Sequence, residues 1–123
     1  MTRTLPLLTT DLAACCAPVT SGVLDERAAD RLARVFKALG DPTRVRLLSL
    51  IAATEGGEAC VCDLTAPVKL SQPTVSHHMK QLVEAGLVTR EQRGKWAYYR
   101  VVPETLSVLS EALAPEALSP VLR

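Results

Sequence analysis

The sequence has no apolar run approaching the ~20 residues that a bilayer-spanning helix needs, so no membrane segment is expected. It also lacks a Gly-rich phosphate loop, a Cys-x-x-Cys pair ahead of a βαβ pattern, and a triad-like ordering of Ser or Cys with His and Asp. Phosphate-loop, thioredoxin-like and triad chemistries are therefore not indicated, and the chain does not read as an enzyme. No internal repeat or low-complexity tract is visible. With 123 residues, 48% of them hydrophobic, there is enough chain for one compact core and too little for two ordinary domains.

Net charge is nearly absent as well, at +1, but the little there is has been sorted. Residues 69–100 carry Lys69, Lys80, Arg90, Arg93, Lys95 and Arg100 against Glu84 and Glu91, a local balance of +4 that leaves the remainder at −3. One basic face on an otherwise neutral or acidic body is the electrostatic pattern of a protein that meets phosphate on one side. A solvated basic surface without a partner is the plainer alternative.

Four cysteines are present: Cys15, Cys16, Cys60 and Cys62. Leu12-Ala13-Ala14-Cys15 imitates a bacterial lipoprotein signal, but Thr9, Thr10 and Asp11 interrupt the apolar stretch such a signal requires. The expectation is a chain retained in a bacterial cytoplasm, where thiols stay reduced and structural disulfides are rare. Metal binding or redox sensing is then left for the cysteines.

Along the chain, residues 1–23 lack periodicity and read as a flexible arm carrying Cys15 and Cys16, residues 24–114 as the folded domain, and residues 115–123 as a tail. Ala28, Leu32, Val35, Phe36 and Leu39 recur at helical spacing, with Gly40 expected as a left-handed stop. Asp41-Pro42 supplies a cap and a first-turn proline for a second helix reaching about Ala53, with Val45, Leu48 and Ile51 expected inward. A short third helix is expected over Val61–Val68, and Ser71 should cap a fourth. On that fourth helix Val75, Met79, Leu82, Val83 and Gly86 share one face. Two β-rich stretches, 87–91 and 96–102, flank a turn at Arg93-Gly94, and Pro103 opens a last helix with Leu106, Leu109 and Leu113 on one side, halted by Pro115.

Two short helices followed by a hairpin make a winged helix-turn-helix: a mainly α fold with a small β-hairpin. A single helix fits the major groove if its exposed face is small and polar. Ser71, Gln72, Thr74, Ser76, His77, Lys80 and Gln81 form such a face, and Arg90, Arg93 and Lys95 on the hairpin can reach phosphate or the minor groove. Double-stranded operator DNA is the expected partner. His78 falls on the shoulder of the buried face and reads as a hydrogen-bonded packing residue.

Phe36-Lys37-Ala38-Leu39-Gly40-Asp41-Pro42-Thr43-Arg44, Cys60-Val61-Cys62-Asp63-Leu64, Ser71-Gln72-Pro73-Thr74-Val75-Ser76-His77-His78 and Arg93-Gly94-Lys95-Trp96-Ala97-Tyr98-Tyr99 resemble the ArsR/SmtB family of dimeric winged-helix metal and metalloid repressors over about residues 24–113. The resemblance implies a homodimer formed through the first and last helices, holding an operator with two related half-sites until an inducer binds. In the family's arsenical sensors a third cysteine follows the Cys-Val-Cys-Asp-Leu run directly, and here that position is Thr65. Cys15 or Cys16 can supply the missing sulfur, an arrangement similar to actinobacterial arsenical repressors. Eight residues separate Cys16 from Asp25, a reach of up to ~27 Å at ~3.4 Å per extended residue, so a site within one subunit or across the dimer is open.

Thiolates select soft ions. As(III) or Sb(III) takes three sulfurs in a pyramid, whereas Cd(II) or Pb(II) accepts three or four and is the alternative inducer. The family's zinc site on the last helix needs His and carboxylates, and residues 103–114 contain no His. Residues two apart on a helix point about 200° apart, so Cys60 and Cys62 are expected to share an ion only if the start of the third helix unwinds. A thiol-redox enzyme or metal-transfer protein, and a repressor sensing oxidants by disulfide formation, are the rival readings.

Overall fold

The computed structural model describes residues 23–114. The expected arm with Cys15 and Cys16, the stop at Pro115 and the tail lie outside the described residues. The elements are α1 (Glu26–Leu39), α2 (Pro42–Ala53), a single 3-10 turn (Glu55–Gly57), β1 (Glu58–Cys60), α3 (Val61–Val68), α4 (Gln72–Glu84), β2 (Val88–Arg93), β3 (Trp96–Val101) and α5 (Pro103–Ala112). The described residues divide into two compact units, one of residues 35–102 and one of residues 23–34 with 103–114.

In the unit of residues 35–102, α2, α3 and α4 contribute Leu47, Ile51, Leu64, Val75, Met79 and Leu82 to the core, and Leu87, Val88 and Val102 join them from the hairpin strands and their flanks. Each is almost wholly removed from water, a burial that stabilises by about 1.5–3 kcal/mol per large aliphatic side chain. The α4 face is the expected one, with Val75, Met79 and Leu82 at positions i, i+4 and i+7. The inward face of α2 is not: Leu47 and Ile51 are buried, whereas Val45 is 48% exposed. Val45, Leu47, Leu48, Leu50 and Ile51 crowd one short helix, so apolar period alone cannot choose its inner side.

The sheet is three-stranded and antiparallel in the order β1-β3-β2, so the wing is more than the expected hairpin. β1 pairs Glu58 with Arg100, Ala59 with Tyr99 and Cys60 with Tyr98. Three residues are too few for an alternating pattern to register in sequence. β2 also runs further than expected, to Arg93, which pairs with Trp96 across a two-residue loop of Gly94 and Lys95. Gly94 takes φ 62 there, the left-handed backbone that tight hairpins demand of their first loop residue.

Gly40 is not left-handed, contrary to expectation. Helix α1 is closed by an arginine: Arg44 Nε donates to the Ala38 carbonyl at 2.6 Å and Nη2 to the Lys37 carbonyl at 3.4 Å. A Cβ at Gly40 would lie 3.3 Å from the Phe36 carbonyl, so the glycine serves close approach and not a positive φ. In the other unit, Asp25 caps α1 through the Ala28 N–H at 2.8 Å, and Ala28 and Leu32 are buried. On α5 the buried residues are Thr105, Leu109 and Ala112, while Leu113 is exposed and Leu106 half-buried, a rotation away from the expected leucine face.

Candidate functional site

Helices α3 and α4 form the helix-turn-helix. Between them Lys69 adopts a left-handed conformation (φ 58, ψ 42), and its N–H returns to the Thr65 carbonyl at 2.8 Å. Arg46 of α2 ties the same corner by donating to the Pro67 carbonyl at 3.0 Å. Ser71 caps α4 as expected, its hydroxyl 3.4 Å from the Thr74 N–H and 2.9 Å from the Thr74 hydroxyl. Those two hydroxyls therefore serve the helix start as well as the surface.

Gln72, Thr74, His77 and Lys80 are exposed on α4, with Ser76 and Gln81 half-buried beside them. His78 is half-buried, and its Nδ1 lies 3.2 Å from Arg44 Nη1, in keeping with a packing role. Ser76, Lys80 and Val83 of α4 and Arg90 and Tyr99 of the wing line an open cleft of about 320 Å³. Two cations at its rim suit a phosphate running between helix and wing. Neither Lys80 nor Lys95 is paired with a described carboxylate, so both charges face water.

The wing arginines differ from one another. Arg90 donates to the Gln92 side chain at 2.6 Å and remains exposed. Arg93 instead turns toward β1: Nη1 donates to Glu58 Oε1 at 3.0 Å, Nη2 contacts Glu58 Oε2 and Glu91 Oε1 (2.7 Å), and the guanidinium sits 4.4 Å from the Tyr98 ring centre. Arg100 adds a second contact to Glu58 at 3.5 Å and donates to the Gly56 carbonyl at 2.9 Å. The hydrogen bond from Arg93 holds the Glu58 carboxyl below its ordinary range. Glu58 carried no sequence signal, because its partner lies 35 residues away.

The cysteine pair sits where β1 becomes α3. Cys60 is the N-cap of α3 in an extended conformation (φ −76, ψ 146), and its sulfur accepts from the Cys62 N–H at 3.3 Å. The two sulfurs are joined as a disulfide with Cα atoms 5.2 Å apart, against the expectation of free thiols. The two side chains do not diverge as residues two apart within a helix would, because Cys60 lies outside the helix: an extended cap followed by one helical residue turns both to the same side without unwinding α3. Cys60 is buried at 4% exposure and Cys62 is exposed, so a ligand would meet Cys62 first. Thr65 is half-buried one turn on, its hydroxyl 3.4 Å from the Cys62 carbonyl, next to the pair. Among the described residues no group of three or more His, Cys, Asp or Glu side chains is placed to hold a metal ion, so the pair offers two sulfurs of the three that As(III) takes. No described helix is long and apolar enough to cross a membrane.

Residues 41–90 match the family model "Bacterial regulatory protein, arsR family". The chain is 51% identical over 70 residues to the arsenic resistance transcriptional regulator ArsR1 of Pseudomonas putida, covering 57% of this chain and 53% of that protein. It is 40% identical over 82 residues to an arsenical resistance operon repressor of Staphylococcus xylosus, covering 67% of this chain and 76% of that one. Among solved structures it is similar to a homodimeric winged helix-turn-helix DNA-binding domain from Mycobacterium bovis, with 30% identity, 80% of this chain and 93% of that chain covered, and a TM-score of 0.60. The alignment with the Pseudomonas protein spans about half of that relative's length.

Proposed function

Because this chain belongs to the arsR family of bacterial regulatory proteins, we propose that it is a transcriptional repressor that holds operator DNA as a homodimer and lets go when As(III) or Sb(III) binds its cysteine thiolates. Its winged helix-turn-helix and its likeness to arsenical resistance repressors support the DNA half of this reading. Helix α4 would enter the major groove with Gln72, Thr74, His77, Lys80 and Gln81 outward, while Ser71 and Thr74 hold its first turn together. Phosphates flanking the groove would meet Lys80, Arg90, Ser76 and, at the loop tip, Lys95. Exposed apolar side chains such as Val23 and Leu113, near α1 and α5, suit a self-association face.

The observation that carries the inducer half is the convergence of the Cys60 and Cys62 sulfurs at the N-cap of α3. Arsenous acid exchanges each hydroxyl for a thiol and releases one water per bond, so a reduced pair supplies two As–S bonds and a third sulfur completes the pyramid. Cys15 or Cys16 is the proposed third donor. Once its sulfur is engaged by arsenic, Cys60 ceases to cap α3, and the helix packed behind α4 is disturbed without wholesale unwinding. Coupling of ~1–3 kcal/mol between inducer and DNA is the usual scale.

The test is operator affinity titrated with arsenite, antimonite, Cd(II), Pb(II) and Zn(II) under reducing conditions. Release by the two metalloids at the lowest concentrations is expected; release by Cd(II) or Pb(II) alone would reassign the inducer. The joined sulfurs favour one second reading, a repressor that senses oxidants. In that case diamide would take two electrons and two protons from Cys60 and Cys62, become the hydrazine, and free the DNA where arsenite does not.

A further inference from the structure

The wing and the thiol pair are joined by a contact that neither DNA binding nor thiol chemistry requires. Arg93 is the last residue of β2, at the wing tip, yet its guanidinium forks onto Glu58 of β1, two residues before Cys60. The same guanidinium rests on the ring of Tyr98, which is the cross-strand partner of Cys60 itself. Arg93 thus touches the strand bearing Cys60 through the Glu58 carboxylate and, on β3, rests on the residue paired with that cysteine. β1 has only three residues, so a displacement of Cys60 has little strand over which to dissipate before it reaches Glu58.

We propose that Glu58 is a positioning residue that couples the thiol site to the wing: it fixes Arg93, and through it the wing tip, to the strand whose end carries Cys60. The inference rests on the inducer reading above. When arsenic engages Cys60, β1 shifts against β3, the two-point fork between Arg93 and Glu58 loses its alignment, and the loop bearing Lys95 leaves its phosphate. DNA is then released through the wing as well as through α4. A fork of two parallel N–H···O bonds is sensitive to such a shift in a way a single point charge is not.

Glu91 supplies an internal control. It also bonds Arg93, at 2.7 Å, but it lies on β2 and makes no bridge to β1. Glu58→Gln and Glu91→Gln each remove one negative charge beside the same guanidinium; only the first weakens the bridge. Operator affinity is measured for each variant with and without saturating arsenite, and arsenite binding is measured separately on the DNA-free protein. A weakening of about 5–150-fold is the common range for such coupling in the wild type. In Glu58→Gln the factor is expected to fall to a few-fold or less with arsenite affinity on the DNA-free protein retained, while Glu91→Gln keeps the wild-type factor. Arg93→Lys keeps the charge and loses the fork, so it should behave like Glu58→Gln, and it guards against a local effect of the glutamine. If Glu58→Gln and Arg93→Lys are released as fully as wild type, or if Glu91→Gln loses the response equally, the bridge is only a surface ion pair. If arsenite fails to release the wild type, the inducer reading falls and this coupling falls with it.

Discussion

Helices α2 and α3 begin in chemically different ways. α2 starts on an oxygen: Asp41 Oδ1 accepts from the Thr43 N–H at 2.8 Å, Pro42 fills the first turn, and Arg44 lies 3.7 Å from the other carboxylate oxygen. α3 starts on a sulfur: Cys60 Sγ accepts from the Cys62 N–H at 3.3 Å. A carboxylate at the positive end of a helix is a strong, charge-assisted acceptor, whereas sulfur is a weak one. The anchoring beneath them is similar, with Leu47 and Ile51 buried under α2 and Val61 and Leu64 under α3. The difference is therefore confined to the caps. An oxygen cap suits a helix that must stay, and a sulfur cap suits one whose start has a second partner to choose.

The most severe way to break that contrast is Cys60→Ser. Serine is a better N-cap than a thiol, so α3 should fold as well as before, and operator binding in the absence of inducer should stay within a few-fold of wild type. Release by arsenite should disappear, the response falling from the 5–150-fold range to about 1. Cys62→Ser should give the same loss from the exposed side of the pair. A gel-shift titration with arsenite decides it: normal release in Cys60→Ser would leave the sulfur cap without a function.

The next largest effect concerns the third sulfur. Replacing Cys15 and Cys16 together by Ser should lower arsenite affinity about as much as losing Cys60, because two sulfurs leave one arsenic bond to water. Thr65 stands beside the pair, and cysteine occupies its position in the arsenical sensors that the motif resembles. Thr65→Cys placed in the double-serine background should restore arsenite release. Binding stoichiometry and operator release measured together check both steps; full response in the double-serine protein itself would remove the arm from the site.

Helix α4 was legible because three signals coincide on it: a capping Ser71, a proline in the first turn, and Val75, Met79 and Leu82 at one spacing. Where apolar residues are crowded, as in α2, or where a polar residue is buried, as with Thr105 in α5, periodicity placed only part of the inner face: Ile51 and Leu109 are buried as expected, but Val45 and Leu113 are exposed. The convergence of Cys60 and Cys62 was misjudged for a different reason. Whether two residues two apart diverge or converge depends on which side of the helix boundary the first one falls, and boundaries are what sequence specifies least. β1 and the Glu58–Arg93 contact are matters of tertiary pairing and had no local signature at all.

A smaller effect should separate the two caps by pH. The Thr43 N–H holds the Asp41 carboxyl below its ordinary value, with Arg44 adding to the same direction. A carboxyl lowered on folding contributes stability that is present above its unfolded value of about 3.8 and is lost as pH falls through its folded value. Asp41→Asn can still cap but does not titrate. Thermal unfolding followed from pH 7 down to pH 3 should therefore show a shallower acid loss in Asp41→Asn than in wild type. An identical acid slope would mean that the cap of α2 does not depend on its charge.

The smallest effect lies at the far end of α3. Lys69 ends that helix with φ 58, a conformation in which a side chain crowds its own backbone and glycine does not. The left-handed turn is required there, since the Lys69 and Leu70 N–H groups return to the Thr65 carbonyl at 2.8 and 3.3 Å before Ser71 starts α4. Lys69→Gly relieves the crowding but frees the unfolded chain, and the two nearly offset, leaving a gain of about 0.5 kcal/mol. For a domain of this size that is roughly a 2–4 °C rise in Tm. The arsenite response should not change, because the substitution strengthens the end of α3 that carries no sulfur. A rise in Tm accompanied by a weaker response would show that both ends of α3 move together when inducer binds, and the contrast between its caps would then have to be extended to the whole helix.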